Sequence, residues 1–343
     1  MSEVAKKLNL SRGTVDRVIH GREGVSEATR KRVKDFLQEV DFKPNAIARS
    51  LKENRTYGIH VLIPSTENDS YWESAKKGVQ AAEKGFADFA LSTEIQFYDH
   101  NDPKSFQTLC EKTLGEKPDG VLLAPLFYRE SIGFLQDCIR LKIPSITFNS
   151  FIENSLSFIG QDLFNSGRVG ADLLTRITNK DGKLLVIHVD EDPSNSSHMM
   201  QKEQGFKDYF AGKEKQRYPF ETISINFQQQ SSVELLQGEL LRDKDVAGIF
   251  VSTSKAYRVA SLLEALGLGE IPLVGYDLVE ENIEFLKKRR IDFLINQNPF
   301  QQAYFGITYL FDYILFGKNP PKKKLLPIDI VSVENYQSYV EAS

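Results

Sequence analysis

The chain has 343 residues, of which 41% are hydrophobic; this is too long for one small domain and apolar enough to build sizeable cores. No apolar run approaches the roughly 20 residues of a membrane span, and the N-terminus lacks a basic-then-apolar leader pattern, so a cytoplasmic protein without a membrane partner is expected. The net charge of −4 is unevenly spread: residues 1–55 hold 13 Lys and Arg against 8 Asp and Glu, net +5, leaving 30 against 39, or −9, for the remainder. Only the N-terminal segment suits a polyanion.

Val4, Ala5 and Leu8 mark the inner face of a first short helix, Asn9-Leu10 make a turn, and Ser11 is placed to cap a second helix over Arg12 to Ile19. Val15, Val18 and Ile19 recur at helical spacing, which leaves Arg12, Thr14, Arg17 and His20 facing outward as a set suited to a DNA major groove. A third helix is predicted from Ser26 to about Val40, with Ala28, Val33, Phe36, Leu37 and Val40 as its inner stripe. Pro44 then opens a short helical segment ending near Leu51, too short to be stable alone and expected to order only when something packs on it.

From Tyr57 the pattern becomes strand and helix in alternation. Apolar runs at 58–63, 95–98, 120–124, 145–148, 184–189, 248–251 and 273–275 are separated by helical stretches such as 71–84, 105–114, 166–178 and 255–266. Such alternation predicts an α/β unit of parallel sheets with right-handed crossovers. The basic run Lys322-Lys323-Lys324 is expected in a solvated loop, and Cys110 and Cys138 are read as two buried, reduced thiols without metal-ligand spacing.

The segment Leu10-Ser11-Arg12-Gly13-Thr14-Val15-Asp16-Arg17-Val18-Ile19-His20, followed by Val25-Ser26-Glu27-Ala28-Thr29 and by Pro44-Asn45 with Ala48-Arg49-Ser50-Leu51, closely resembles the lactose-repressor family of bacterial regulators. Asp16 and His20 depart from that pattern, where Ser and Asn are usual. The resemblance implies an all-α three-helix DNA-binding headpiece over 1–43, a hinge helix and linker over 44–56, and a two-lobed, periplasmic-binding-protein-like sensor over 57–343. Its first lobe is expected at about 57–161 plus 297–325, and its second at about 162–296 plus the C-terminal segment, with crossings near 159–162 and 295–298. The candidate DNA contacts are Ser11, Arg12, Thr14, Arg17, His20, Asn45, Arg49 and Leu51, the last as a wedge in the minor groove. The implied partners are a double-stranded operator, a second copy of the chain and a small effector.

In open parallel sheets ligands bind outside the carboxyl ends of the strands, so the residues that end strands are the informative ones. They include planar aromatics, amides and carboxylates, the chemistry that covers sugar ring faces and pairs with hydroxyls. The resemblance to sugar-binding members carries over to Tyr71, Trp72, Asn149, Asp277 and Gln297. It fails at Lys202, where Arg is usual, and at Thr253-Ser254, where Asn-Asp is usual. Tyr71, Trp72, Asn149, Asp162, Lys202, Thr253, Asp277 and Gln297 form the expected effector set, and a neutral sugar or polyol the expected ligand. Trp72 either lines that site or packs under the first sensor helix; Asp277 either binds ligand, caps a helix starting near Glu280, or does both; Gln297 is a ligand residue or a turn residue beside Pro299. His188, inside an apolar run, reads as a core histidine. Phosphate-loop, nucleophile-elbow, zinc-protease and dinucleotide motifs are absent from the sequence, so neither catalysis, a metal nor a cofactor is expected. The alternative function is a solute-binding protein without a regulatory role.

Overall fold

The computed structural model describes residues 5, 8, 10–19, 23–39, 56–67, 69–211, 218–242 and 245–340. Contacts divide the chain into two compact units, Met1–Thr56 and Tyr57–Ser343.

In the first unit, α1 spans Arg12–Ile19 and α2 spans Glu27–Glu39. Each starts at a serine hydroxyl: Ser11 Oγ accepts from Thr14 N at 3.0 Å and Ser26 Oγ from Thr29 N at 3.3 Å. Ala5, Leu8, Val15, Val18 and Val33 form the buried core, with Leu10, Val25 and Phe36 packed against it. Arg32 Nη2 ties α2 to the preceding turn by donating to Leu8 O at 2.9 Å. Ala28 is exposed, against the expected stripe. Position 28 lies five residues before Val33, off the three-to-four spacing, and half-buried Thr29 takes its place.

The second unit contains β1 Tyr57–Pro64, α3 Tyr71–Gly85, β2 Leu91–Tyr98, α4 Pro103–Glu116, β3 Gly120–Leu123, α5 Tyr128–Arg140, β4 Ser145–Phe148 and β5 Ser157–Gly160. There follow α6 Leu163–Ile177, β6 Lys183–Val189, α7 Ser197–Tyr209, β7 Phe220–Ile225, α8 Gln230–Arg242, β8 Val246–Val251, α9 Ala256–Ala265, β9 Leu273–Tyr276, α10 Glu280–Lys287 and β10 Phe293–Asn296. The chain ends with α11 Pro299–Phe316, β11 Lys323–Leu325, β12 Asp329–Val331 and α12 Gln337–Val340. One six-stranded sheet has the order β11-β5-β4-β3-β1-β2, the other β12-β10-β9-β8-β6-β7. Every pairing is parallel except β10 with β12.

The central strands carry almost unbroken Val, Ile and Leu because helices cover both faces. The chain passes between the lobes after β5, after β10, and again between β11 and β12. One side chain joins all three crossings: Gln161 Nε2 donates to Asn296 O at 2.7 Å and to Pro327 O at 2.6 Å. The Lys322–Lys324 run is not a loop as expected, since Lys323–Leu325 form an edge strand beside β5. Lysines on a short edge strand discourage pairing with another chain. Among the described residues no helix is long and apolar enough to cross a membrane.

Candidate functional site

The carboxyl ends of the two sheets face one another across a narrow cleft, where ligands of open parallel sheets bind. The first lobe supplies Asp69, Tyr71 and Trp72 at the start of α3, Leu126 after β3 and Asn149 after β4. The second lobe supplies Glu191 after β6, His198 and Lys202 from α7, Thr253 and Ser254 after β8, and Asp277 after β9, while Gln297 comes from the second crossing. Asn149, Asp190 and Asp277 each end a strand with left-handed backbone, at φ of 67°, 57° and 67°. Asn and Asp tolerate that conformation better than other side-chain-bearing residues, and it turns the chain sharply at the cleft wall.

Trp72 stands edge-on to Tyr71, with ring centroids 4.8 Å apart, and to Phe148 at 6.1 Å. It therefore both packs on the sheet and lines the cleft. Asn149 Nδ2 donates to the Tyr71 hydroxyl at 2.8 Å, and Gln302 Oε1 accepts from Asn149 N at 2.8 Å. Asp277 accepts from Gln297 N at 3.0 Å and from Gln297 Nε2 at 2.6 Å. Its side chain does not cap α10; buried Asn282 instead ties that helix to Ser254 O, Tyr276 O and Asp277 O. Lys202 Nζ donates to Ser252 O at 2.9 Å and lies 3.8 Å from the Tyr276 ring centre.

Burial raises the Asp277 carboxyl to about 6, against the opposing pull of Lys202 and the Gln297 bonds. Burial likewise lowers the Lys202 ammonium to about 8, against Asp277 and Glu191. Glu191 behaves differently: burial pushes it up, but His198, bonded to it at 2.8 Å, together with Lys255 and His100, outweighs that and holds it near 2. Asp69 is raised by burial despite Lys255 and its bonds from Tyr71 N and Ser254.

Asp162 is not brought to the cleft. It is the N-cap of α6, with Asn165 N at 3.0 Å on one oxygen and Asn165 Nδ2 at 2.7 Å on the other. Each of its two oxygens already accepts a bond at the start of α6, and the residue is not among those that line the cleft. Thr253 is in the wall, where its hydroxyl accepts from Lys255 N at 3.4 Å. His188 is held in the core between Ser252 Oγ at 2.6 Å and Glu203 at 3.0 Å. The sequence reading did not single out Asp69, Leu126, Glu191 or His198, although all but His198 lie in strand-ending segments. Their signal was position alone.

Several contacts bridge the lobes. Ser254 Oγ donates to Asp69 at 3.0 Å, Ser70 Oγ to Glu281 at 3.2 Å and Asn195 Nδ2 to Glu130 at 2.9 Å. His100 Nε2, from the first lobe, faces Lys255 Nζ of the second at 3.5 Å, and Asn101 Nδ2 at 3.1 Å. Two donors on one ring nitrogen require a neutral imidazole there. Burial first, and Lys255 second, depress the His100 proton affinity; Glu191, Asp99 and Asp190 act the other way. A base whose proton affinity is depressed by burial between two lobes opposes their closure as pH falls below its ordinary range. Effector affinity of the wild type should therefore fall relative to His100→Gln between neutral pH and about pH 5.5. Parallel pH profiles in isothermal titration would exclude this role; the comparison with the variant cancels the opposite contribution of Asp277.

In the first unit, Arg17 is exposed and the Ser11 and Thr14 hydroxyls pair with each other at 2.8 Å. The Arg12 side chain and residues His20, Asn45, Arg49 and Leu51 lie outside the described residues.

Residues 59–319 match the family model for the periplasmic binding protein domain, and residues 1–45 match that for bacterial regulatory proteins of the lacI family. The sucrose operon repressor of Streptococcus mutans is 23% identical over 98% of both chains. The ribose operon repressor of Halalkalibacterium halodurans is 23% identical over 80% of this chain and 79% of its own. Similarity to the catabolite control protein A of Priestia megaterium is higher, 32%, but spans only 35% of either protein. A Bacteroides fragilis crystal structure described as a LacI transcriptional regulator superposes with a TM-score of 0.79 at 28% identity, over 83% of this chain and all of that one. An Agrobacterium vitis solute-binding protein bound to α-D-tagatopyranose shares the fold, with a TM-score of 0.74 at 24% identity, over 84% of this chain and 98% of that one. With one model covering residues 59–319 and the other residues 1–45, the protein belongs to the periplasmic binding protein domain family and carries a lacI-family DNA-binding domain at its N-terminus.

Proposed function

We propose that this protein acts in the cytoplasm as a homodimeric transcriptional repressor whose operator affinity is set by a small neutral sugar or polyol bound in the cleft. The cleft carries the reading: it sets Trp72 beside the carboxylates Asp69 and Asp277, the amides Asn149 and Gln297, and the hydroxyls of Tyr71, Thr253 and Ser254. Carboxylates and amide oxygens accept from ligand hydroxyls, while an indole covers C–H surface. Three carboxylates, Asp69, Glu191 and Asp277, against Lys202 and His198 disfavour a phosphorylated ligand. The two operon repressors named above for sucrose and ribose point to the same class of effector.

On the DNA side, Ser11, Arg12, Thr14, Arg17 and His20 are the proposed contacts in the major groove. Asn45, Arg49 and Leu51 are proposed for the hinge at the operator centre, where two-fold symmetry brings two copies together. The proposed domain limits are 1–43, 44–56 and 57–343. Effector binding in the cleft would close the lobes and change the hinge spacing, coupling the two sites reciprocally.

A thermal-shift screen of monosaccharides, polyols and their phosphates, followed by operator binding with and without the hit, tests this function. A ligand at one hundred times its dissociation constant adds about 2.7 kcal/mol of stability, enough to be seen. Arg17→Ala should weaken specific operator binding by about 1–3 kcal/mol at fixed salt without altering the thermal shift. A hit found only among phosphorylated or amine-bearing compounds would refute the carbohydrate reading, and operator affinity unchanged in Arg17→Ala would refute its assignment.

A further inference from the structure

Away from the cleft, the first lobe gathers His60, Glu94 and Glu116 so that one ring nitrogen and one oxygen from each carboxylate all lie within 4.8 Å of one another. The grouping follows from register. His60 of β1 pairs directly with Glu94 of β2, and Glu116 is the last residue of α4, packed over those strands. His60 Nε2 is 3.5 Å from Glu94 Oε2, and His60 Nδ1 is 3.6 Å from Glu116 Oε2.

His60 is only 8% exposed, and its buried Nδ1 has no hydrogen-bond partner. Buried polar atoms are nearly always satisfied, so an orphan ring nitrogen directed at a carboxylate marks a place where something else binds. Glu94 is also held from behind, with Gln96 Nε2 donating to its Oε1 at 2.6 Å and Thr113 Oγ1 donating to Gln96 at 3.2 Å. Such outer bonds orient a metal-binding carboxylate and leave its other oxygen free. Glu116 adds a negative charge at the negative end of the α4 dipole, a position that calls for a cation. Lys112 supplies part of that charge, with Nζ 3.7 Å from Glu94 and 3.8 Å from Glu116. These pairs are half-exposed and weak, so the ammonium is displaceable.

We propose that His60, Glu94 and Glu116 form a binding site for a divalent transition-metal ion such as Zn²⁺ or Mn²⁺. One imidazole and two carboxylates favour these ions over Mg²⁺ or Ca²⁺, which prefer oxygen alone. Metal–ligand bonds of about 2.0–2.2 Å bring the donor atoms closer than they now stand, and the two solvent-facing glutamates can rotate to meet the ion. The ion would clamp the edge strand β2 and the end of α4 to β1, stabilising the first lobe without entering the effector cleft.

The test uses the full chain, freed of any affinity tag and dialysed against chelator, titrated with Zn²⁺ by calorimetry and with Co²⁺ by visible absorption. The expected result is one equivalent bound, a d–d absorption band with Co²⁺ and a higher melting temperature. Glu116→Gln, a change at an exposed helix end that should leave the fold intact, should weaken binding at least tenfold, and His60→Ala should abolish it. Lys112→Ala should tighten binding by removing the competing ammonium. Binding that is absent in the wild type, or unchanged in Glu116→Gln and His60→Ala, overturns the site. Loss of thermal stability in Lys112→Ala that metal does not restore would mean that the cluster is an ion-pair network and nothing more.

Discussion

Replacing Asp277 by Asn is expected to weaken effector binding by about tenfold to a hundredfold, the equivalent of a charge-assisted hydrogen bond worth roughly 1.5–3 kcal/mol. The wild-type carboxylate occupies both hydrogen-bonding groups of Gln297 and balances the buried ammonium of Lys202. An amide of the same shape keeps one acceptor but turns a donor toward Gln297 Nε2 and leaves Lys202 without its counter-charge. Calorimetric titration with the effector measures the loss, and an unchanged dissociation constant would remove Asp277 from the site. Stability carries a second signature. A carboxyl raised from the ordinary 3.8 to about 6 by burial holds its proton more tightly when folded, so its contribution is greatest at low pH and is lost as pH rises across that window. The Asn variant should lack that slope between about pH 4 and 6 in chemical unfolding.

Gly205→Ala should lower the melting temperature on the order of 5 °C, as an overpacking cost of about 1–3 kcal/mol in a unit of this size. Helix propensity alone predicts the opposite sign, because Ala in a helix interior is favoured over Gly by about 0.5–1 kcal/mol. Packing decides. A Cβ at position 205 would stand 1.8 Å from Phe164 O, and one at Gly167 would stand 1.9 Å from Lys202 O. The helices α6 and α7 thus touch backbone to backbone, and neither carbonyl can move aside without separating them. Because α7 carries His198 and Lys202 into the cleft, the same substitution should weaken effector binding. A variant with wild-type or higher melting temperature would show that the crossing tolerates a methyl group.

Much of this protein was readable from local pattern. The serine caps at Ser11 and Ser26, the burial of Val15, Val18 and Val33, and strands such as Ser145–Phe148 follow from side-chain chemistry and periodicity within a few residues. The family motifs are local too. Strands β5, β7, β10, β11 and β12 escaped because they are short or half-polar and become strands only by pairing with neighbours already in place. Lys323 illustrates this, a lysine in a basic run that lies beside Phe158 of β5.

The site divides along the same line. Tyr71, Trp72, Asn149, Asp277 and Gln297 stand at strand or helix ends that sequence position marks, and they line the cleft together. Asp162 also ends a strand, yet its oxygens turn to the start of α6, a choice between cap and ligand that depends on where the helix axis points. The bond of Ser254 to Asp69, the staple made by Gln161, and the meeting of His60, Glu94 and Glu116 join residues far apart in the chain. The sequence by itself determined which segments form helices and central strands and which family they compose, since hydrophobic periodicity and capping act within one or two turns. Only the tertiary structure decided which polar groups meet, because burial, charge pairing and backbone approach depend on strand order and register, which no local pattern records.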